Sequence, residues 1–95
     1  MPHNKRLLAN PQVVFREEFD DWVILFDPDR GVALGLNPIG AFIWKLLDGT
    51  RNQADILDKI TEHFDAVPAE ARNHLEGFVA DLAEKGFVGY VVEEG

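Results

Sequence analysis

The sequence predicts an α+β domain, winged helix-turn-helix-like, with a three-stranded antiparallel sheet and three helices. Three observations lead there. Short β-prone runs surround the turn signal Asp27-Pro28-Asp29-Arg30-Gly31; Asn37-Pro38 then marks a change from a two-residue to a helical apolar period; and three helical stripes follow before a last extended segment, Phe87–Val92. The 95 residues are enough for one domain, and 46% hydrophobic content with 11% aromatics suits a folded core.

The elements are read in order. Residues 1–11, punctuated by Pro2, Asn4, Asn10 and Pro11, are expected to form a flexible arm, with residues 12–92 the single domain. Val13-Val14-Phe15 is a first β-prone run and Trp22–Phe26 a second, too short for a helix and rich in aromatic and branched residues. Pro28 presets a turn angle and Gly31 tolerates positive φ, so Val32–Leu36 returns as a third strand and closes a hairpin. Asn37 is expected to cap a helix over Pro38–Leu47, which Asp48-Gly49 ends. Asn52 opens a second helix with Ile56, Leu57, Ile60 and Phe64 as its stripe. Pro68 fits the first turn of a third, with Ala71, Leu75, Phe78 and Leu82 toward the core and Gly86 as its cap.

The net charge is −8, and residues 1–16 hold Lys5, Arg6 and Arg16 without an acid, so the acid excess belongs to the rest of the chain. Such a domain repels phosphate backbones, which disfavours nucleic acid. No apolar run reaches the length of a membrane span, and the amino terminus lacks the apolar stretch of a secretory signal, so a cytoplasmic location without membrane contact is expected. Cysteine is absent, which removes disulfides and thiolate chemistry.

Catalytic chemistry finds little to stand on. Serine is absent, and Thr50, Thr61 and Tyr90 are the only hydroxyl side chains. His3, His63 and His74 lack metal-ligand spacing, and the acid pairs Glu17-Glu18, Asp20-Asp21, Asp27/Asp29 and Glu93-Glu94 fall at turns or termini, where solvation is their usual role. No phosphate-cradling glycine loop is present. The expectation is a chain that is not an enzyme and carries no cofactor and no metal.

Two surfaces stand out instead. In the third strand Val32, Leu34 and Leu36 alternate with Ala33 and Gly35, leaving one face nearly bare. A bare strand marks tight packing by a helix, a bulge, or an edge open to an added strand. In the third helix Arg72, Glu76 and Val79 run beside the core stripe. They could pair and solvate as a surface row, or form one wall of a peptide groove. Gly77 in that helix suggests a neighbour that needs room.

The segment Leu34-Gly35-Leu36-Asn37-Pro38-Ile39-Gly40-Ala41-Phe42-Ile43-Trp44-Lys45-Leu46-Leu47-Asp48-Gly49-Thr50, preceded by Val23–Gly31, resembles the PqqD-like family. The resemblance covers residues 12–88 and rests most on the Asn-Pro-x-Gly-Ala-x-Ile-Trp-x-Leu-Leu-Asp-Gly core. It implies a RiPP recognition element: a winged-helix-like module that binds the leader of a ribosomally made precursor peptide and presents it to a modifying enzyme, a radical SAM protein in the pyrroloquinoline quinone pathway. It further implies that the leader adds as a strand at Val32, Ala33, Leu34, Gly35 and Leu36, facing Arg72, Glu76 and Val79. Asn37–Gly49 is expected to be scaffold. A homodimer is compatible with this reading. The alternatives are a winged-helix DNA-binding regulator, which the acids of the third helix disfavour, and a protein–protein adaptor.

Overall fold

The computed structural model describes residues 5–20, 22–64, 67 and 69–91. Its elements are β1 Leu7–Ala9, β2 Val14–Glu17, β3 Val23–Asp27, β4 Val32–Leu36, α1 Pro38–Lys45, β5 Asp48–Arg51, α2 Gln53–His63, α3 Ala71–Glu84 and β6 Val88–Tyr90. The class is α+β with three helices, as expected, but the strands form two three-stranded antiparallel sheets, ordered β2-β3-β4 and β5-β1-β6.

The first sheet is the expected one. Register places Leu25 opposite Phe15 and Leu34, and Phe26 opposite Val14 and Ala33. Alternation sends Val23, Leu25 and Leu36 into the core and leaves Val14, Phe26, Ala33 and Gly35 outward. The β3–β4 turn is clamped by Asp27, almost fully buried, whose Oδ1 accepts the amides of Asp29 (3.0 Å) and Arg30 (3.3 Å). Gly31, at φ +69°, donates its amide to the Asp27 carbonyl at 2.8 Å. A buried carboxylate taken up by main-chain donors meets part of its desolvation cost.

The second sheet corrects the expectation of a flexible arm. Leu7–Ala9 pairs with β5 on one side and β6 on the other, and Leu7 is fully buried. The Ala9 amide donates to the Leu47 carbonyl and the Asn10 amide to the Phe87 carbonyl, both at 2.8 Å. Leu7 finds core packing that a short apolar stretch between Arg6 and Asn10 does not advertise, and the strand that receives it, Asp48–Arg51, is a polar stretch with weak β propensity.

The helices start and stop for legible reasons. The Asn37 side chain accepts the Gly40 amide at 2.8 Å, and Pro38 follows the cap. α1 ends at Lys45, two residues before the expected Leu47, because the amides of Leu46 and Leu47 bond back only three residues, to Ile43 and Trp44. Asn52 and Asp55 form a reciprocal capping box on α2, with bonds of 2.9 and 3.1 Å. α3 ends in a Schellman arrangement: Gly86, at φ +77°, donates to Ala83 and Phe87 donates to Leu82. The placing of Pro68 in the first turn of α3 lies outside the described residues.

Leu7, Leu25, Ile56, Val79, Leu82 and Phe87 are the largest fully buried side chains, and they draw on both sheets, α2, α3 and the α3–β6 connection. The core therefore joins the two sheets through the helices. It holds β4 at the margin of its own sheet, with α3 across from it.

Candidate functional site: an apolar groove beside the β4 edge

β4 is the last strand of its sheet. It pairs with β3 along one side, and among the described residues no strand pairs with the other. Alternate residues of such an edge direct N–H and C=O groups outward, where they are open to another chain.

A cavity of about 550 Å³ lies beside that edge. β4 contributes Leu34, Gly35 and Leu36; α1 contributes Ile39, Gly40 and Ile43; α2 adds Ile60, with Phe64 just beyond it; and α3 contributes Ala71, His74, Leu75, Phe78 and Asp81. Gly40 is closely packed here: a Cβ at that position would lie 3.3 Å from the Leu36 Cβ, which would have to give by a few tenths of an ångström. The lining is mainly apolar, with His74 and Asp81 as polar groups on the α3 wall and Asn37 at the helix α1 end. Asp81 Oδ1 is held by the Lys85 ammonium at 2.8 Å. A smaller hollow of about 300 Å³, between β2 and α1, is bordered by Glu17, Glu18, Lys45 and Phe42; there the Phe42 ring stacks on His63 at 4.4 Å.

Of the expected site residues, Leu34, Gly35 and Leu36 border the cavity. Leu34 and Leu36 look inward along the groove, and Val32 is half-buried at the hairpin end of the same face. Ala33 and Gly35 point to the opposite, outer face. Gly35 has nothing within 4 Å of an added Cβ, so its bareness does not reflect close packing. Gly77 is equally open, which removes the neighbour expected there.

The α3 strip requires correction. Val79 is fully buried and offers no surface, while Arg72 is exposed, Glu76 half-buried, and neither lines the cavity. The core stripe of α3 runs through Leu75, Val79 and Leu82, turned from the expected Ala71-Leu75-Phe78-Leu82 line. That turn releases Ala71 and Phe78 to the groove, where with His74 and Asp81 they follow the i, i+3, i+7, i+10 spacing of one helix face. The signal was His74: a polar residue set within an apolar stripe marks a face that is not sealed.

The tip of the β3–β4 hairpin is tied to the end of α3. The Arg30 guanidinium reaches across to donate to the Lys85 carbonyl at 2.7 Å. Gly86 makes room for it, because a Cβ there would collide with Arg30 Nη1. An open strand edge beside an apolar cavity can take up an extended peptide, main-chain bonds supplying affinity and alternate side chains entering the cavity.

The family model for coenzyme PQQ synthesis protein D (PqqD) matches residues 23–88, which run from the start of β3 to the first residue of β6 and contain the whole groove lining. The chain belongs to the PqqD family. A curated relative from Rhodopseudomonas palustris (strain TIE-1), a PqqA binding protein, is 36% identical over 82 residues, which cover 86% of this chain and 78% of the relative. Among solved structures, TbiB1 in complex with the TbiA(beta) leader peptide shares the fold at a TM-score of 0.72 and 26% identity, covering 90% of this chain and 99% of that one. The heterocyclase TruD shares it at a TM-score of 0.65 and 20% identity, covering 96% of this PqqD-family chain and 12% of TruD. The PqqD fold thus recurs both as a nearly whole chain and as a small part of a much larger one.

Proposed function

We propose that this protein captures the leader segment of a ribosomally made precursor peptide as an added strand beside β4, and presents it to a modifying enzyme. The observation that carries this reading is the unpaired β4 edge set against the apolar groove. The PqqA-binding relative and the leader-peptide complex of TbiB1 support it, since each names a peptide as what those proteins hold.

The role is binding and delivery without catalysis. An extended leader anchors its inward side chains among Leu34, Leu36, Ile43 and Phe78, and its main chain meets the outward groups of β4. The modifying enzyme is of the radical SAM type, as the PqqD kinship suggests, and the setting is the cytoplasm, where a precursor leaves the ribosome. Duplex DNA is a poor ligand for α3, on which Glu76, Asp81 and Glu84 outnumber Arg72.

Calorimetric titration with a synthetic PqqA-type precursor peptide tests the proposal. One-to-one binding that Ala71→Trp abolishes supports it, because Ala71 lines the groove. Absence of binding, or binding indifferent to that substitution, overturns it.

A further inference from the structure

The outer face of the β2-β3-β4 sheet, opposite the groove, carries a set of large exposed apolar side chains. Trp22 is 50% exposed, Phe26 40% and Val14 49%, and Phe19 in the β2–β3 connection is 80% exposed. Register sets Val14, Phe26 and Ala33 in one row across the sheet and Arg16, Ile24 and Gly35 in the next. With Ala33 and Gly35 carrying almost no bulk, the β4 end of this face is nearly flat. An isolated exposed apolar side chain is ordinary, but an adjoining set with two large aromatic rings marks an interaction surface.

Charge and continuity identify the occupant. The exposed charges described around this sheet are the acids Glu17, Glu18, Asp20 and Asp29, against Arg16 and Arg30. Like charge at this border works against a second copy of a chain whose net charge is −8 and favours a partner rimmed with Lys and Arg. β4 is shared by both surfaces. A peptide strand added at its open edge would send alternate side chains into the groove and the rest onto the outer face, level with Ala33 and Gly35.

We propose that the face built on Val14, Trp22 and Phe26 docks the modifying enzyme, through an apolar patch bordered by basic residues, so that the enzyme contacts this protein and the outward side chains of the bound leader together. The inference rests on the proposed peptide capture and adds where the enzyme sits. It makes enzyme binding tighter with peptide than without, while leaving peptide binding independent of the outer aromatics.

The test is sedimentation velocity with the full chain, the synthetic precursor peptide and a purified radical SAM enzyme that modifies a PqqA-type precursor, at low and high salt. The double variant Trp22→Ser/Phe26→Ser, and separately Val14→Glu, should each weaken enzyme binding at least about tenfold while peptide affinity by calorimetry stays within about twofold; thermal melts confirm that each folds. Ala71→Trp should lose the peptide yet keep the enzyme's weaker, peptide-independent binding. The docking face is overturned if the enzyme binds these outer-face variants as it binds the parent, if it fails to bind the parent, or if the patch mediates only self-association. Loss of peptide binding by the parent would instead overturn the capture reading.

Discussion

Arg30 donates to the Lys85 carbonyl at 2.7 Å, bridging the tip of the β3–β4 hairpin to the last turn of α3. The bond ties the hairpin to the end of α3, and neither of its residues lines the groove. Gly86 is bound up with it, because its positive φ and its missing Cβ both serve the arrangement.

Gly86→Ala should therefore cost about 1–3 kcal/mol, part from left-handed backbone strain and part from displacing Arg30. In an Arg30→Ala background the second part should vanish, leaving a smaller cost for the same substitution. Chemical denaturation of the four proteins of this cycle gives the coupling directly. Arg30→Ala alone should leave peptide affinity within about threefold by calorimetry, because Arg30 does not line the groove.

Phe78 and Leu82 separate binding from folding. Leu82 is fully buried, and Leu82→Ala should destabilise the protein by about 2–5 kcal/mol. Phe78 is half-buried on the groove wall, so Phe78→Ala should cost less stability but weaken the peptide about tenfold or more. Calorimetry paired with urea melts distinguishes the two effects.

Gly35→Val places a branched side chain on the outer face, where nothing lies within 4 Å. Val suits a strand better than Gly, so stability should hold or rise by a few tenths of a kcal/mol to about 1 kcal/mol. Peptide affinity should remain within about threefold. A large loss of affinity in the same titration would mean that the ligand crosses the outer side of β4.

Leu7→Ala should destabilise by about 2–5 kcal/mol, because this residue is fully buried between β5 and β6. Removal of residues 1–9 should likewise lower the melting temperature. A truncated protein as stable as the full chain would contradict the second sheet.

The Asp48 carboxyl is favoured in its charged form. Hydrogen bonds from the Thr50 hydroxyl and amide, aided by Arg51, hold its carboxyl below the usual value. Its contribution to stability is thus complete above the unfolded carboxylate pKa and is lost as pH falls through the lower folded one. The group is solvent-exposed, so Asp48→Asn should narrow the stability difference between neutral and acidic pH only slightly, as read by melts from pH 7 to pH 3.

The sequence and the structure agree where local chemistry decides. Asn37-Pro38 and Asn52 cap helices as read, Val32–Leu36 is a strand to the residue, and Gly86 terminates α3. Of the second sheet only its last segment, within Phe87–Val92, was legible, because its strands are three or four residues long, far apart in sequence, and stabilised by pairing with one another. Tertiary contact, not propensity, makes them strands. The groove was half legible. The β4 edge follows from its place in the hairpin, but the rotation of α3 turns on whether Phe78 or Val79 enters the core, and residues one apart differ by only about 100° around a helix. The buried residue is the smaller of the two, which leaves the aromatic ring for a ligand.

Cross-strand nuclear Overhauser contacts between labelled protein and unlabelled precursor peptide test the central claim most directly. The account predicts main-chain contacts from the peptide to residues 33–36, with slowed amide exchange on the open side of β4. A peptide that binds while its contacts map to the β5-β1-β6 sheet, with exchange along β4 unaltered, would contradict it.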